Sequence, residues 1–172
     1  MIVVSLLLAG CGLTDVGAFA GTQFTENVAA SGFESAAAVG LRAGADLHRC
    51  IDLPTRVEVQ GRVESGAGGR SGDVRVDTFV ASVPILVGMS WPDRSDGNGF
   101  ELTALLGPEL RYEVLRTRIV GDTTRDGFAR LAFLAQPGFA YRYAGTRLGA
   151  LGIVRFGDTF DFGAILAVDI ML

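Results

Sequence analysis

The sequence predicts an all-β protein: a single antiparallel up-and-down β-barrel of about eight strands, transmembrane, with its apolar face outward. Three observations lead there. Apolar residues alternate with period two over long segments that recur along nearly the whole chain. The aromatic residues gather near the ends of those segments, where the interfacial girdles of a membrane barrel lie. The chain also opens on a short apolar run with the layout of an export signal.

Taken in order, residues 1–14 form the address and residues 15–172 the barrel domain. Met1 to Cys11 is an apolar run closing on Leu8-Ala9-Gly10-Cys11, which resembles the bacterial lipobox, whose cysteine is acylated and becomes the new N-terminus. No Lys or Arg precedes the run. A second reading cleaves after Ala18-Phe19-Ala20, an A-x-A site, and a third makes the run a buried first strand. With Cys11 acylated, Cys50 has no partner within the chain; a bond between Cys11 and Cys50 requires that the lipid be absent.

The strands then follow as Asp15 to Phe24, Phe33 to His48, Thr55 to Glu64, Asp73 to Trp91, Phe100 to Leu115, Phe128 to Tyr143, Thr146 to Phe156 and Phe160 to Leu172. The last is the clearest. Phe160, Phe162, Ala164, Leu166, Val168, Ile170 and Leu172 share one face, and Asp161, Gly163, Ile165, Ala167, Asp169 and Met171 the other. The third sets Val57, Val59, Gly61 and Val63 against Arg56, Glu58, Gln60, Arg62 and Glu64, and the fifth sets Leu102 to Tyr112 against Glu101, Glu109, Arg111 and Glu113. Within Asp73 to Trp91 the parity slips between Val74 and Val83, which fits a strand whose first part projects above a membrane. Pro84, Pro108 and Pro137 interrupt strands that have no free edge, so each is placed at a bulge. Ser65 to Gly72 and Gly121 to Gly127 read as the least structured loops.

Composition removes several alternatives. Hydrophobic residues make up 49% and charged residues 20%, yet no uninterrupted apolar run is long enough for a spanning helix. A chain this apolar, with a formal charge of -4, is also unlike a disordered one. All 15 basic residues are Arg, which suits fixed planar ion pairs. A pI near 4.9 without a basic cluster argues against nucleic acid as a partner.

Alternation alone leaves open which face looks inward; the aromatic residues decide for apolar outward. If the first strand runs outward from the periplasm, Trp91, Phe100, Tyr141 and Tyr143 fall at the inner rim, while Phe24, Phe33, Tyr112, Phe156, Phe160 and Phe162 fall at the outer rim. Ala144-Gly145 and Cys50 to Pro54 are then tight periplasmic turns, and Pro92 to Gly99 is longer than such a turn should be.

Ser82-Val83-Pro84-Ile85-Leu86-Val87-Gly88, Leu106-Gly107-Pro108 and the closing alternation to Leu172 resemble the small OmpA/OmpX-like outer-membrane β-barrels, the porin-like outer-membrane β-barrel domain family. The group usually closes on a terminal Phe, where this chain has Leu172. The resemblance implies a bacterial outer-membrane location, in contact with outer-membrane lipid, and says little about biochemical activity; the leading reading of the chain is a structural or interaction protein whose outer loops meet extracellular ligands or partners.

The inward face carries Arg42, Asp46, Arg56, Glu58, Arg62, Glu64, Glu109, Arg111, Glu113, Arg130, Arg142, Arg147, Arg155 and Asp161. An eight-stranded barrel has room inside for side chains only, so these charges are expected to pair and plug the lumen. The competing reading is a narrow ion path. A third is an exported soluble, lipocalin-like barrel around an apolar ligand. His48 is the sole histidine, which leaves no metal set and no catalytic triad with a matching Ser motif; neither a cofactor nor an enzymatic activity is expected. Asp93-Arg-Ser-Asp96-Gly-Asn98-Gly99 spaces its oxygens like a calcium loop but lacks the closing Glu, and Gly66 to Gly72 has no following helix to hold an anion. Both read as turns.

The lipobox reading makes one direct prediction. Labelled palmitate should enter the wild-type chain on expression in a bacterium and should be absent from Cys11→Ala; an unlabelled wild type overturns the lipobox reading and leaves the cleaved signal and the buried strand.

Overall fold

The structure, a computed structural model, describes residues 12–27, 32–47, 55–71, 74–92, 98–119 and 122–172. Cys11, His48, Cys50 and most of the stretch from Asp93 to Gly99 lie outside them. Eight strands follow one another: β1 (Asp15–Asn27), β2 (Gly32–Asp46), β3 (Thr55–Ser71), β4 (Val74–Trp91), β5 (Gly99–Ile119), β6 (Asp122–Tyr143), β7 (Thr146–Phe156) and β8 (Phe160–Met171). Each pairs antiparallel with its neighbour in sequence, and β8 closes on β1 with Asp15 opposite Met171. Closure leaves the sheet without an edge, so the backbone polar groups of the wall are met within the sheet itself.

The alternation puts the apolar set outside. On β8, Leu166 is 70% exposed and its neighbour Ile165 only 1%. Leu41, Val83, Leu102, Leu110, Leu131 and Leu148 are likewise half or more exposed on the outer face, while Arg56, Arg155 and Asp161 are wholly covered on the inner one. In water an outer surface of this kind would be strongly unfavourable; against hydrocarbon it is matched.

Aromatic rings frame this belt at both ends. Phe100 stands opposite Tyr141 with ring centroids 4.9 Å apart, at the end that also holds Trp91 and Tyr143. At the other end Phe24 lies against Phe162 at 5.3 Å, and Phe160 lies 5.7 Å from Phe156 and 6.3 Å from Phe162. Phe33 is in β2, but its side chain is not among those described.

The two ends of the barrel differ. At the end holding β1's start and β8's finish, β6 and β7 are joined by Ala144 and Gly145, whose φ angles of 48° and 79° make the left-handed two-residue hairpin that follows the twist of its strands. At the opposite end β5 and β6 run for 21 and 22 residues, about twice the 11 of β7. Nine to eleven tilted residues cross a bilayer's apolar layer, so the upper parts of β3 to β6 stand clear of the belt. There the inside–outside alternation stops, and residues 122–127 are exposed on both faces.

Two expectations are corrected here. Ser65 to Ser71 belongs to β3, and Asp122 to Gly127 to β6, where turn-like composition pointed to loops; the ladder simply continues upward, with Gly66 opposite Thr78 and Thr117 opposite Thr124. The prolines sit at no bulge. Pro84 pairs in register with Glu109, Pro137 with Ala104 and Pro108 with Phe133, and the same register resumes beyond each gap in the ladder. The one described shift lies between Ala67 and Arg70 in the projecting β3–β4 hairpin.

Substitution at Leu166, compared with Thr124 above the belt, tests which face looks outward. Arg at Leu166 should lose about 2 to 4 kcal/mol of folding stability in lipid, through exposure of a charge to hydrocarbon. Arg at Thr124, on the projecting part of β6, should be tolerated; equal tolerance at both sites in a bilayer-folding assay would contradict the outward apolar face.

Candidate functional site

The lumen is the chemically distinctive part of the molecule. All eight strands turn their even or odd positions into it, and its polar side chains form two levels separated by an apolar one. At the level near the chain termini, Arg56 makes a bidentate pair with Asp15, Nη1 and Nη2 donating at 2.8 and 2.6 Å, and Nη1 also reaches Asp46 at 2.9 Å. Asp46 accepts from Arg142 Nη2 at 3.2 Å, and Arg142 Nε donates to Glu101 at 2.5 Å. Arg147 joins Glu101 at 2.9 Å to Asp169 at 3.0 Å; Arg42 grips Asp169 through Nε at 2.6 Å and through Nη2, and reaches Glu58 at 3.5 Å. Glu58 accepts in turn from Arg56 at 3.2 Å. The circuit closes. Four arginines and four carboxylates alternate around it, with Asp15 paired to Arg56 as a fifth carboxylate beside the ring; every strand contributes except β4, whose Ser90 hydroxyl donates to Glu101.

The second level centres on Arg155. Its Nε and Nη2 donate to the two oxygens of Glu109 at 2.5 and 3.0 Å, Nη2 also reaches Glu64 at 2.5 Å, and Nη1 reaches Asp161 at 2.6 Å. Gln23 Nε2 donates to both Glu64 and Asp161 at 3.2 Å, and Ser82 Oγ donates to Glu109 at 2.6 Å. Arg111 bridges Asp161 at 3.3 Å and Glu113 at 3.0 Å. Arg130, at the rim, pairs with the exposed Asp158 at 2.9 Å and lies 4.4 Å over the Phe128 ring. A cavity of about 230 Å³ opens among these rim residues, lined by Glu34, Glu64, Arg111, Glu113, Phe128 and Arg130.

Between the levels Phe19, Leu86, Leu105, Leu134, Leu151, Ile153 and Ile165 pack as the core, crossed by the Gln60 to Gln136 hydrogen bond at 2.8 Å. Arg62 enters this layer differently from the other arginines. Its nitrogens make no hydrogen bond; Nε lies 3.1 Å from Glu64 and the guanidinium covers the Phe19 ring at 5.6 Å.

Glycines on the inner face give the large groups their space. A Cβ at Gly44 would overlap the Arg56 guanidinium, and one at Gly17 would overlap the Asp169 carboxylate. The structure thus turns each of the fourteen charged residues read from the sequence toward the lumen, with Glu113 and Arg130 at its mouth. The charge network read from the sequence left out Glu101 and Asp169, which close the circuit, Asp15, which pairs with Arg56, and Gln23, Gln60 and Gln136. The parity of β3, β5 and β8 already set Gln60, Glu101 and Asp169 on the inner face, so the signal for them was present in the sequence.

Chemically the arrangement holds charges and leaves little to react. The serine hydroxyls at Ser82 and Ser90 both donate to carboxylates that are themselves held by arginine, and among the described residues no group of His, Cys, Asp and Glu side chains could hold a metal ion.

Solved structures with the same arrangement decide the fold family. Ail, the attachment invasion locus protein of Yersinia pestis, superimposes over 92% of this chain and 99% of its own with a TM-score of 0.60 at 12% identity. The chain has the fold of the small OmpA/OmpX-type outer-membrane β-barrels. Neisserial surface protein A matches over 92% of this chain and 96% of its own at a TM-score of 0.60 and 10% identity. A major outer membrane protein from Thermus thermophilus covers 92% of this chain and 99% of its own at 0.62 and 10%. Ail has also been solved in complex with the heparin analogue sucrose octasulfate. No protein-family model and no curated protein sequence matches the barrel. At these identities the likeness is one of backbone, and the lumen circuit has to be understood from this barrel's own residues.

The two levels predict unequal costs. Arg155→Met strips three carboxylates of their shared cation and should destabilise the barrel by about 3 to 5 kcal/mol. Arg62→Met removes a guanidinium that makes no hydrogen bond and should cost under about 1 kcal/mol or stabilise, as urea titration in detergent micelles can measure.

Proposed function

We propose that this protein is a β-barrel of the bacterial outer membrane with a structural or interaction role, non-catalytic, its lumen plugged by arginine–carboxylate pairs and its projecting hairpins meeting extracellular ligands. The observation that carries the reading is the inverted polarity: an outer face of Leu, Val and Phe framed by aromatic rings, around an inner face of paired charges. The likeness to outer-membrane barrels supports the location, and an export signal ending near Cys11 supplies the route. Ail's complex with a sulfated sugar analogue supports looking for ligands at the hairpin end. A lipocalin-like carrier needs its apolar face inward, the reverse of the arrangement around Leu166 and Ile165. A narrow pore needs a continuous water path, and the packed layer of Leu86, Leu105, Leu134 and Ile153 lies across it.

Planar-bilayer recording on the refolded protein tests the plug. The wild type should show no long-lived stepwise openings. Openings on the scale of a general porin would mean that the charged levels and the apolar layer move apart in the membrane, and the transport reading would replace this one.

A further inference from the structure

Above the belt, the projecting part of the wall sorts its charges by face. On the outward side β4 presents Arg75 and Asp77, β5 presents Arg116 and Arg118, and β6 presents Arg125. Among the described residues four arginines there face one carboxylate. Glu113, Asp122 and Asp126 stand on the opposite face of the same strands. The register places like charges directly opposite: Arg75 with Arg118, and Arg116 with Arg125. Cross-strand pairs of one sign oppose sheet formation unless an anion lies between them. Asp77 partly serves, 2.9 Å from Arg75 and 3.6 Å from Arg118. It leaves the face strongly cationic, and the Nε of Arg116 is buried without a hydrogen-bond partner.

The position of this face says what anion it meets. It is continuous with the apolar belt: going up the outer side of β5, Leu106, Leu110 and Tyr112 give way to Val114 and then to Arg116 and Arg118. Four residues of a strand tilted by about 40° rise roughly 10 Å, which sets Arg116 just above the Tyr112 ring, and long arginine stems reach back toward the interface. The guanidiniums look sideways, over the membrane, where phosphate groups of lipid headgroups lie. Arginine's planar fork matches phosphate oxygens in pairs.

We propose that the outward face of β4 to β6, built on Arg75, Arg116, Arg118 and Arg125, binds the phosphate groups of anionic lipid headgroups in the adjacent leaflet. The proposal rests on the membrane-spanning reading above and adds a specific lipid contact to it. The anion relieves the cross-strand repulsion, so headgroup binding and ordering of the β5–β6 hairpin are one event.

Deuterium exchange of the refolded protein in vesicles of phosphatidylcholine, with and without phosphatidic acid, tests this. Amides of residues 113–130 should exchange at least about tenfold more slowly with the anionic lipid, and high salt should remove the difference. R75S/R116S/R118S should lose the slowing, while Asp126→Asn on the other face keeps it. Equal exchange in both vesicles overturns the proposal and leaves the barrel reading intact. Slowing reproduced in phosphatidylcholine by inorganic phosphate or a soluble sulfated oligosaccharide assigns the face to soluble anions and overturns the lipid. Fast exchange of β8 in every vesicle overturns the spanning reading itself.

Discussion

Eight strands closed on one another leave an interior that side chains fill below its open mouth, and this volume limit governs the rest of the structure. A charge placed inside has no water to meet, so its opposite has to arrive from another strand at hydrogen-bonding distance. The terminal-end circuit meets that demand by alternation: each carboxylate sits between two arginines or beside a bidentate one, and the participants come from β1, β2, β3, β5, β6, β7 and β8. Planar guanidiniums can donate in several directions from one fixed position, which an ammonium on a flexible stem cannot do as well. The exclusive use of Arg among the basic residues follows the same logic. So do the glycines at Gly17 and Gly44, whose missing Cβ atoms are the space the circuit occupies.

The apolar layer between the two charged levels has a separate consequence. Charges at both levels are neutralised locally, so neither level needs the other across the gap. Phe19, Leu86, Leu134, Leu151 and Ile165 therefore pack without bridging ions, and the Gln60–Gln136 bond satisfies the amides that cross the layer. Arg62 is the member that fits least well. It reaches Glu64 and spreads over Phe19, a geometry in which aromatic contact substitutes for hydrogen bonding.

Strand number, polarity and both aromatic rims were legible in the sequence because each rests on the period of two, which a closed sheet preserves from end to end. The rings at Phe24 and Phe162, or Phe100 and Tyr141, meet because position along the chain maps directly onto height in the wall. Two things were less legible. Gly66 and residues 122–127 have the composition of loops, and only pairing with a partner strand, invisible locally, holds them extended. The prolines pointed to bulges because a lost N–H has to be accommodated somewhere, and the wall accommodates it by omitting ladder bonds around Pro84 and Pro137 while keeping register. Asp15 escaped notice for a simpler reason: it opens its strand, where the alternating pattern has the fewest neighbours to declare a face, whereas Glu101 and Asp169 were set on the inner face by parity and only their part in the charge network was missed.

The wall's two regions answer to different solvents. Inside the belt, register is pinned, since a one-residue slip would turn Leu166 and Val168 inward and Ile165 and Asp169 into hydrocarbon. Above it, water meets both faces of β5 and β6, and slippage carries no such penalty. What holds the extension is then the ladder itself together with the Asp77 bridge to Arg75 and Arg118. A segment freed from the polarity rule can place charge by face for another purpose, and here, among the described residues, four arginines share the outward face with a single carboxylate, Asp77, while Glu113, Asp122 and Asp126 take the inward one.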